Sequence, residues 1–293
     1  MSNDFSISNL SMSDMGEIHQ IWHDGLGSAS AISADKLSGL LNKKSLLGFY
    51  EGDKLAGFIA YSDNNNLMSV TAIVIMTTCQ RKGIGTALLN AAIKSADCSE
   101  IRLGSGAGAY FWPGVPSNLP SAISFFRKNG FSFYEESFDL VMDLKSLKPA
   151  ATPDNIMMRK ASSELQESIL RFEEQHFLEW EEYFEQALSE GNFSNVLTAQ
   201  GSDGTIIGSA LIFGPALHTW LQLGNHAGGL GALGVHPDYR ERGIGLALAS
   251  WASEELKKRG VEKSFVGWTW LVEWYGQLGY NVFQKYQMGK LVK

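Results

Sequence analysis

Gln80-Arg81-Lys82-Gly83-Ile84-Gly85-Thr86-Ala87-Leu88 and, 160 positions later, Arg240-Glu241-Arg242-Gly243-Ile244-Gly245-Leu246-Ala247-Leu248 carry one pattern twice. Each copy follows an apolar run, Val70 to Met76 or Leu230 to Val235, and opens a stretch of helical character, Thr86 to Ser95 or Leu246 to Lys258. Downstream, Phe125-Phe126-Arg127-Lys128-Asn129-Gly130-Phe131 is matched by Trp274-Tyr275-Gly276-Gln277-Leu278-Gly279-Tyr280. Two landmarks in the same order make this a duplicated chain.

The flanks repeat as well. Asp14 to Gly25 and Ser33 to Asn42 read as helices, followed by strands Leu46 to Tyr50 and Leu55 to Tyr61 around Glu51-Gly52-Asp53. In the second half a helix capped by Ser162 or Ser163 runs to His176, and a second covers Leu178 to Leu188. Strands Asn195 to Ala199 and Ile206 to Phe213 then pair around Gly201-Ser202-Asp203-Gly204. Lys148-Pro149-Ala150-Ala151-Thr152-Pro153-Asp154 has linker composition and divides the chain into 1–148 and 154–293.

The 293 residues suffice for two ordinary domains, and 44% hydrophobic with 19% charged residues suits buried cores rather than disorder. The net charge of −7 repels phosphate backbones, which argues against a nucleic-acid partner. Cys79 and Cys98 are too few for a disulfide framework or a four-ligand zinc site. No apolar run approaches the ~20 residues of a membrane span, and Met1 to Ser6 lacks a basic stretch followed by an apolar one. The expected setting is the cytoplasm, with no membrane partner.

A strand, a turn with Gly at alternate positions and a helix place several backbone N–H groups at a positive helix end, which suits a phosphate or pyrophosphate. The same turn also reads as a tight connection with no ligand. Neither copy is a Walker loop, and Leu88 or Leu248 stands where a dinucleotide fingerprint has its third Gly. His19 and His23 have i, i+4 spacing, but Gln20 replaces the Glu of H-E-x-x-H, and no G-x-S-x-G occurs. No metal site is expected.

The pattern R/Q-x-x-G-x-G/A after a strand, with F-Y-x-x-x-G-F/Y downstream, resembles the GNAT superfamily of acetyl-CoA-dependent N-acetyltransferases. The second copy, Leu233 through Gly245, is the closer match, and the tandem arrangement is similar to that of mycothiol synthases. The resemblance implies an α/β fold of two tandem acyl-CoA N-acyltransferase modules, each a mixed twisted sheet flanked by helices. In each, a central strand splays from its neighbour and the pantetheine arm of acetyl-CoA, the co-substrate, lies in the gap. That strand maps to Val70 to Ile75 and to Gly231 to Val235. Cofactor contacts then fall on Leu233, Gly234, Val235, Arg240, Glu241, Arg242, Gly243, Ile244 and Gly245. In the first module they fall on Ile73, Ile75, Arg81, Lys82, Gly83, Ile84, Gly85 and Thr86. Gly228, Gly229, Gly231 and Gly234 read as room for the ligand, or as a Gly-rich approach to a short strand.

Acetyl transfer to an amine needs a deprotonated nucleophile, donors for the developing oxyanion and a proton for the departing thiolate. The resemblance places the proton donor at Tyr275 and the oxyanion donors at backbone N–H near Val235. Phe126 has no proton to give, so the second module is expected to be the catalyst and the first a structural or cofactor-binding relic. The Gly- and aromatic-rich segment 104–116 is expected beside the first cleft, as a pocket wall or as an aromatic plug. For a small-molecule amine acceptor the candidates are Glu181, among acidic and aromatic residues of the first two helices, His226 before the central strand, and Trp268 and Trp270 after the strand Lys263 to Val266. The alternative is a non-catalytic protein that binds or senses acyl-CoA.

Overall fold

The computed structural model describes residues 5–64, 66–105, 111–214 and 221–293. The chain forms two compact units. In order the first half gives β1 (Phe5–Asn9), α1 (Met15–Leu26), α2 (Ala34–Leu41), β2 (Ser45–Glu51), β3 (Lys54–Asn64) and β4 (Leu67–Ile75). It continues with α3 (Ile84–Ser95), β5 (Glu100–Leu103), the short β6 (Val115–Pro116), α4 (Pro120–Lys128) and β7 (Ser132–Asp143). The second half gives β8 (Met157–Lys160), α5 (Gln166–His176), α6 (Glu181–Ser189), β9 (Val196–Gln200), β10 (Ile206–Phe213) and β11 (Ala227–Val235). Then come α7 (Ile244–Lys258), β12 (Lys263–Thr269), α8 (Val272–Gly276) and β13 (Asn281–Val292).

Local chemistry explains these boundaries. Helix α1 buries Ile18, Ile21 and Trp22 on one face and stops at Gly27, whose φ of 66° no helix continues. The Ser33 hydroxyl accepts the Lys36 N–H and starts α2. In the second half, α5 begins at Gln166 and α6 at Glu181, each two or three residues later than the sequence pattern suggests. The leading strands β1 and β8 are short and exposed on most of their residues, and only β1, with Phe5 and Ile7, alternates apolar and polar side chains.

Both sheets are mixed. In the first unit β1 to β4 are antiparallel neighbours, while β4 and β5 run parallel. The second repeats this with β8 to β11 antiparallel and β11 parallel to β12. Helices α3 and α7 follow the central strands and bury Ile84, Leu88, Leu89 and Ala92, or Ile244, Leu248, Ala252 and Leu256.

The packing boundary differs from the expected cut at the linker. The first unit contains Met1–Phe138, Thr219–Gln222 and Gln284–Lys293, and the second contains Asp139–His218 with Leu223–Phe283. The end of β13 pairs antiparallel with β5, Leu291 opposite Ile101, and Leu291 packs against the core around Met68, Leu103 and Phe131. Residues 139–148 serve the second unit: the Leu144 N–H donates to Glu262 O and the Lys148 N–H to Leu278 O. Each unit is completed by a segment from the other half of the sequence. The linker composition marks a covalent joint, whereas packing follows the last strand of each repeat.

A chain ended after Phe283 should therefore destabilise the first unit by at least about 3 kcal/mol, since loss of one Leu-sized core side chain alone costs ~2–5 kcal/mol. Hydrogen exchange would show protection lost first in β5; protection equal to that of the full chain would contradict this assignment.

Candidate functional site

The two repeated loops have one backbone conformation. Thr77–Cys79 and Pro237–Tyr239 each make a 3-10 turn, and the next residue is extended, Gln80 at φ −64° and ψ 158°, Arg240 at φ −66° and ψ 166°. Arg81 and Glu241 then take left-handed φ values of 65° and 62°, which cost a non-glycine residue ~1–2 kcal/mol. Gly83 and Gly243, at φ 86° and 77°, cap α3 and α7. Gln80 Nε2 donates to Ile75 O, and Arg240 Nε to Val235 O, both at 3.1 Å. The first motif side chain thus ties each loop to the last residue of its central strand. Among the described residues, the N–H groups of 81–83 and of 241–243 have no partner. The first helical turn adds further free donors, so each loop offers a row of N–H groups at a positive helix end.

Glycines at the alternate positions serve different needs. Gly83 and Gly243 are required by φ. A Cβ on Gly85 would meet the Phe125 ring at 3.3 Å, and one on Gly245 the Trp274 ring at 3.2 Å. On β11, a Cβ on Gly228 would lie 2.6 Å from Phe213 O, on Gly229 3.3 Å from Phe265 O, and on Gly231 3.1 Å from the Phe213 ring; Gly234 is covered by the Phe177 ring. These strand glycines make room for the protein's own atoms, which favours the structural of the two readings for them.

Beyond the loops, the central strands splay as expected. Pairing of β4 with β5 ends at Val70 opposite Leu103, and pairing of β11 with β12 ends at Gly229 opposite Phe265. Both central strands also carry a bulge, near Thr71 in the first unit and at Ala232, φ 45°, in the second. Residues 71–75, with Ile73 and Ile75, and residues 230–235, with Leu233, Gly234 and Val235, therefore have one edge without a parallel partner.

What fills that edge distinguishes the units. In the first, the buried Trp112 donates its indole N–H to Thr71 O at 2.7 Å. Its ring stacks on Phe111 at 4.5 Å and on Trp22 at 5.4 Å. The remaining cavity, lined by Val70, Ile73, Gly104, Trp112 and Phe126 among others, is about 60 Å³. Segment 104–116 thus packs Phe111 and Trp112 into the aromatic stack and also lines the cavity with Gly104, Trp112, Gly114, Val115 and Pro116, so both expectations for it stand; its residues 106–110 lie outside the described ones.

The downstream landmark superimposes in geometry and differs in chemistry. Phe126 and Phe131 meet edge to face at 5.3 Å and 71°, Tyr275 and Tyr280 at 5.4 Å and 70°. Tyr275 is 6% exposed, and its hydroxyl bonds to no described residue. Burial, with the Tyr280 hydroxyl adding, raises its pKa, so the phenol keeps its proton across the physiological range.

The sequence profile described as the Acetyltransferase (GNAT) family matches residues 15–131 and again 161–280. This chain is a GNAT-family protein. The glucosamine N-acetyltransferase region of a fungal multi-domain β-N-acetylglucosaminidase superimposes with a TM-score of 0.89 at 24% identity, covering 99% of this chain and 38% of that one. A tandem GNAT protein from the clavulanic acid biosynthesis pathway gives 0.71 at 14% identity, over 99% and 98% of the two chains. Among curated proteins, the amino-acid acetyltransferase of Vibrio vulnificus (strain CMCP6) is 33% identical over 78 residues, 27% of this chain and 16% of its own length. The match thus spans about a sixth of that relative.

The GNAT unit of the second half holds a buried acid, Glu173, one of the acidic residues of the first two helices that the sequence did not single out. Glu173 on α5 is fully buried; Ser209 Oγ donates to its Oε1, and Oε2 has no partner. Burial pushes its carboxyl up to about 8, with the Ser209 bond opposing and Glu181 adding. Ser209 lies opposite Gly234, and Phe177, one turn after Glu173, rests on Gly234 and stacks on Trp180 at 5.0 Å. The structure therefore brings Glu173, Glu181, Phe177 and Trp180 together near the bulge. Ile169, Phe172, Glu173 and Phe177 recur at helical spacing, the signal that would have put Glu173 on the buried face.

Other expected positions are placed as follows. Trp268 and Trp270 are exposed at the diverging end of β12, just before α8 and Tyr275. Trp268 is left-handed at φ 50°, its N–H held by Asp139 Oδ1 at 3.0 Å. His226 is exposed one residue before β11, where β11 and β12 are still paired, so the structure does not bring it to the splayed segment. Among the described residues no group of three metal-ligating side chains occurs, and no helix is long and apolar enough to cross a membrane.

Because Glu173 titrates near 8 when folded and near 4.5 when unfolded, its protonated form favours folding, fully below pH ~4.5, and that stability is lost as pH rises toward 8. Glu173→Gln should be more stable than wild type at pH 8, by roughly 2–4 kcal/mol, with the gap closing below pH ~4.5. Urea unfolding at both pH values measures this, and a pH-independent gap would contradict the buried-acid assignment.

Proposed function

We propose that this GNAT protein is an acetyl-CoA-dependent N-acetyltransferase that acetylates a primary amine of a small molecule by direct attack, with the second unit as catalyst. One observation carries the reading. The same aromatic frame ends in a phenol without a partner at Tyr275 and in a bare ring at Phe126, and the strand edge beside Phe126 is stopped by Trp112.

Acetyl-CoA supplies the acetyl group as an activated thioester. The free N–H groups at 241–243 and the first turn of α7 suit its pyrophosphate, with Arg240 and Arg242 adding positive charge. The edge at Leu233 to Val235 offers strand backbone to the pantetheine arm and N–H groups to the carbonyl oxygen. Tyr275 gives its proton to the departing sulfur. Glu173, whose free Oε2 has a proton affinity matched to neutral pH, takes up the amine proton, and the Glu181 charge favours a cationic acceptor. The names of the fungal and Vibrio relatives put glucosamine and amino acids first in an amine screen.

Replacing Tyr275 with Phe should lower kcat by roughly 10²-fold or more while leaving acetyl-CoA affinity within about twofold. Unchanged kcat under chemistry-limited conditions would remove Tyr275 from the mechanism. By calorimetry, acetyl-CoA binding should survive Gly83→Glu and disappear in Gly243→Glu, after each variant is shown to fold; the reverse would move the working site to the first unit. Binding without turnover on a broad amine panel would favour the alternative, a sensor of acyl-CoA, which the loss of the phenol at Phe126 already suggests for half the chain.

A further inference from the structure

Three electron-rich atoms converge in the first unit, away from the splayed strand edge. His19 and His23 lie one turn apart on α1 and meet edge to face, ring centroids 4.5 Å apart. His19 Nε2 is 2.9 Å from Ile32 O, His23 Nε2 is 3.2 Å from the same oxygen, and the two nitrogens are 3.1 Å apart. Both imidazoles are half-buried, which leaves a route from solvent.

No arrangement of protons on two neutral rings satisfies all three contacts. If both Nε2 atoms carry hydrogen, the two donors face each other across 3.1 Å. If only His19 does, the His23 lone pair faces the Ile32 carbonyl lone pairs. The oxygen cannot easily withdraw, because the loop leading to it is fixed and its own side chain is buried. Trp22 Nε1 donates to Ser30 O at 2.8 Å, Gln222 Nε2 to Ser28 O at 2.9 Å and the Leu221 N–H to Ala31 O at 3.2 Å, while the Ile32 side chain is fully buried.

A cation at the centre of the triangle would make every contact attractive. Ligands about 2.1 Å from an ion and at right angles to one another are about 3.0 Å apart, and the three separations here straddle that value. We propose that His19 Nε2, His23 Nε2 and Ile32 O form one face of an octahedral site for a divalent first-row transition ion, with water in the remaining positions. Imidazole nitrogen selects such ions over magnesium or calcium. Gln20 in place of the H-E-x-x-H glutamate excludes protease chemistry and leaves the two ligands intact. The third ligand is a main-chain oxygen, which no side-chain pattern reveals. Bound metal would clip α1 to the segment before α2 and hold Trp22, which stacks on the plug.

The test uses full-length, tag-free protein freed of metal with a chelator and titrated calorimetrically with nickel chloride and, separately, zinc chloride. A single ion per chain should bind, and either His19→Gln or His23→Gln should weaken binding at least tenfold, roughly the smallest loss seen even for supporting residues of metal sites. His236→Gln, which alters the other close histidine pair, should leave the affinity unchanged. Nickel should raise the thermal unfolding midpoint of wild type and not of the His19 or His23 variants, whose circular dichroism must match wild type. Absence of binding below about 1 mM, or equal affinity in the His23 variant, would overturn the assignment.

Discussion

The parallel strand pair at the centre of each unit separates after three or four residue pairs, and much of the molecule follows from that divergence. A strand edge released inside a folded unit carries N–H and C=O groups that require partners, since burying them unpaired costs ~1–3 kcal/mol each. In the first unit the protein answers the demand itself: the Trp112 indole N–H reaches Thr71 O and the Gly104 N–H reaches Val70 O. In the second, pairing with β12 ends at Gly229, and among the described residues the Tyr275 hydroxyl has no bonded partner.

The repeats preserve conformation more faithfully than chemistry. Left-handed Arg81 and Glu241 agree within a few degrees although their charges are opposite, so the backbone path of the loop, not the side chain, is what the turn needs. Phe125 and Trp274 both close over a glycine of that loop, and Phe126 and Tyr275 both sit edge-on to the aromatic that follows. Packing accepts either ring, because the two differ by one oxygen at the rim. Proton donation does not.

These relations set the limits of what the sequence discloses. The loops, the following helices, the central strands and the phenol were legible because each depends on local features: glycine at fixed offsets, apolar runs and an aromatic at a fixed distance. The exchange of last strands was not legible, because β7 and β13 have ordinary strand composition, and which sheet a strand joins is decided by long-range pairing such as Leu291 with Ile101. His226 looked well placed by its closeness in sequence to the central strand. Strand length puts it at the paired end, roughly 30 Å from the loop at ~3.3 Å per residue. Glu173 was hidden among many glutamates, and only its periodicity with Ile169, Phe172 and Phe177 sets it apart.

Glu173 also shows why the second unit differs from a merely folded copy. A carboxyl with one bonded oxygen and one free, enclosed by α5 and β10, makes folding worse as pH rises from its unfolded pKa to about 8, and glutamine would avoid that penalty at nearly the same volume. No packing argument explains the acid in that position. Left-handed Trp268, a bulky residue in a region that favours glycine, adds strain at the mouth of the same splay, and Asp139 is committed to holding it there. Left-handed strain at Trp268 and a buried acid in the second unit, set against a filled aromatic stack in the first, show two repeats that keep one backbone path and part in chemistry.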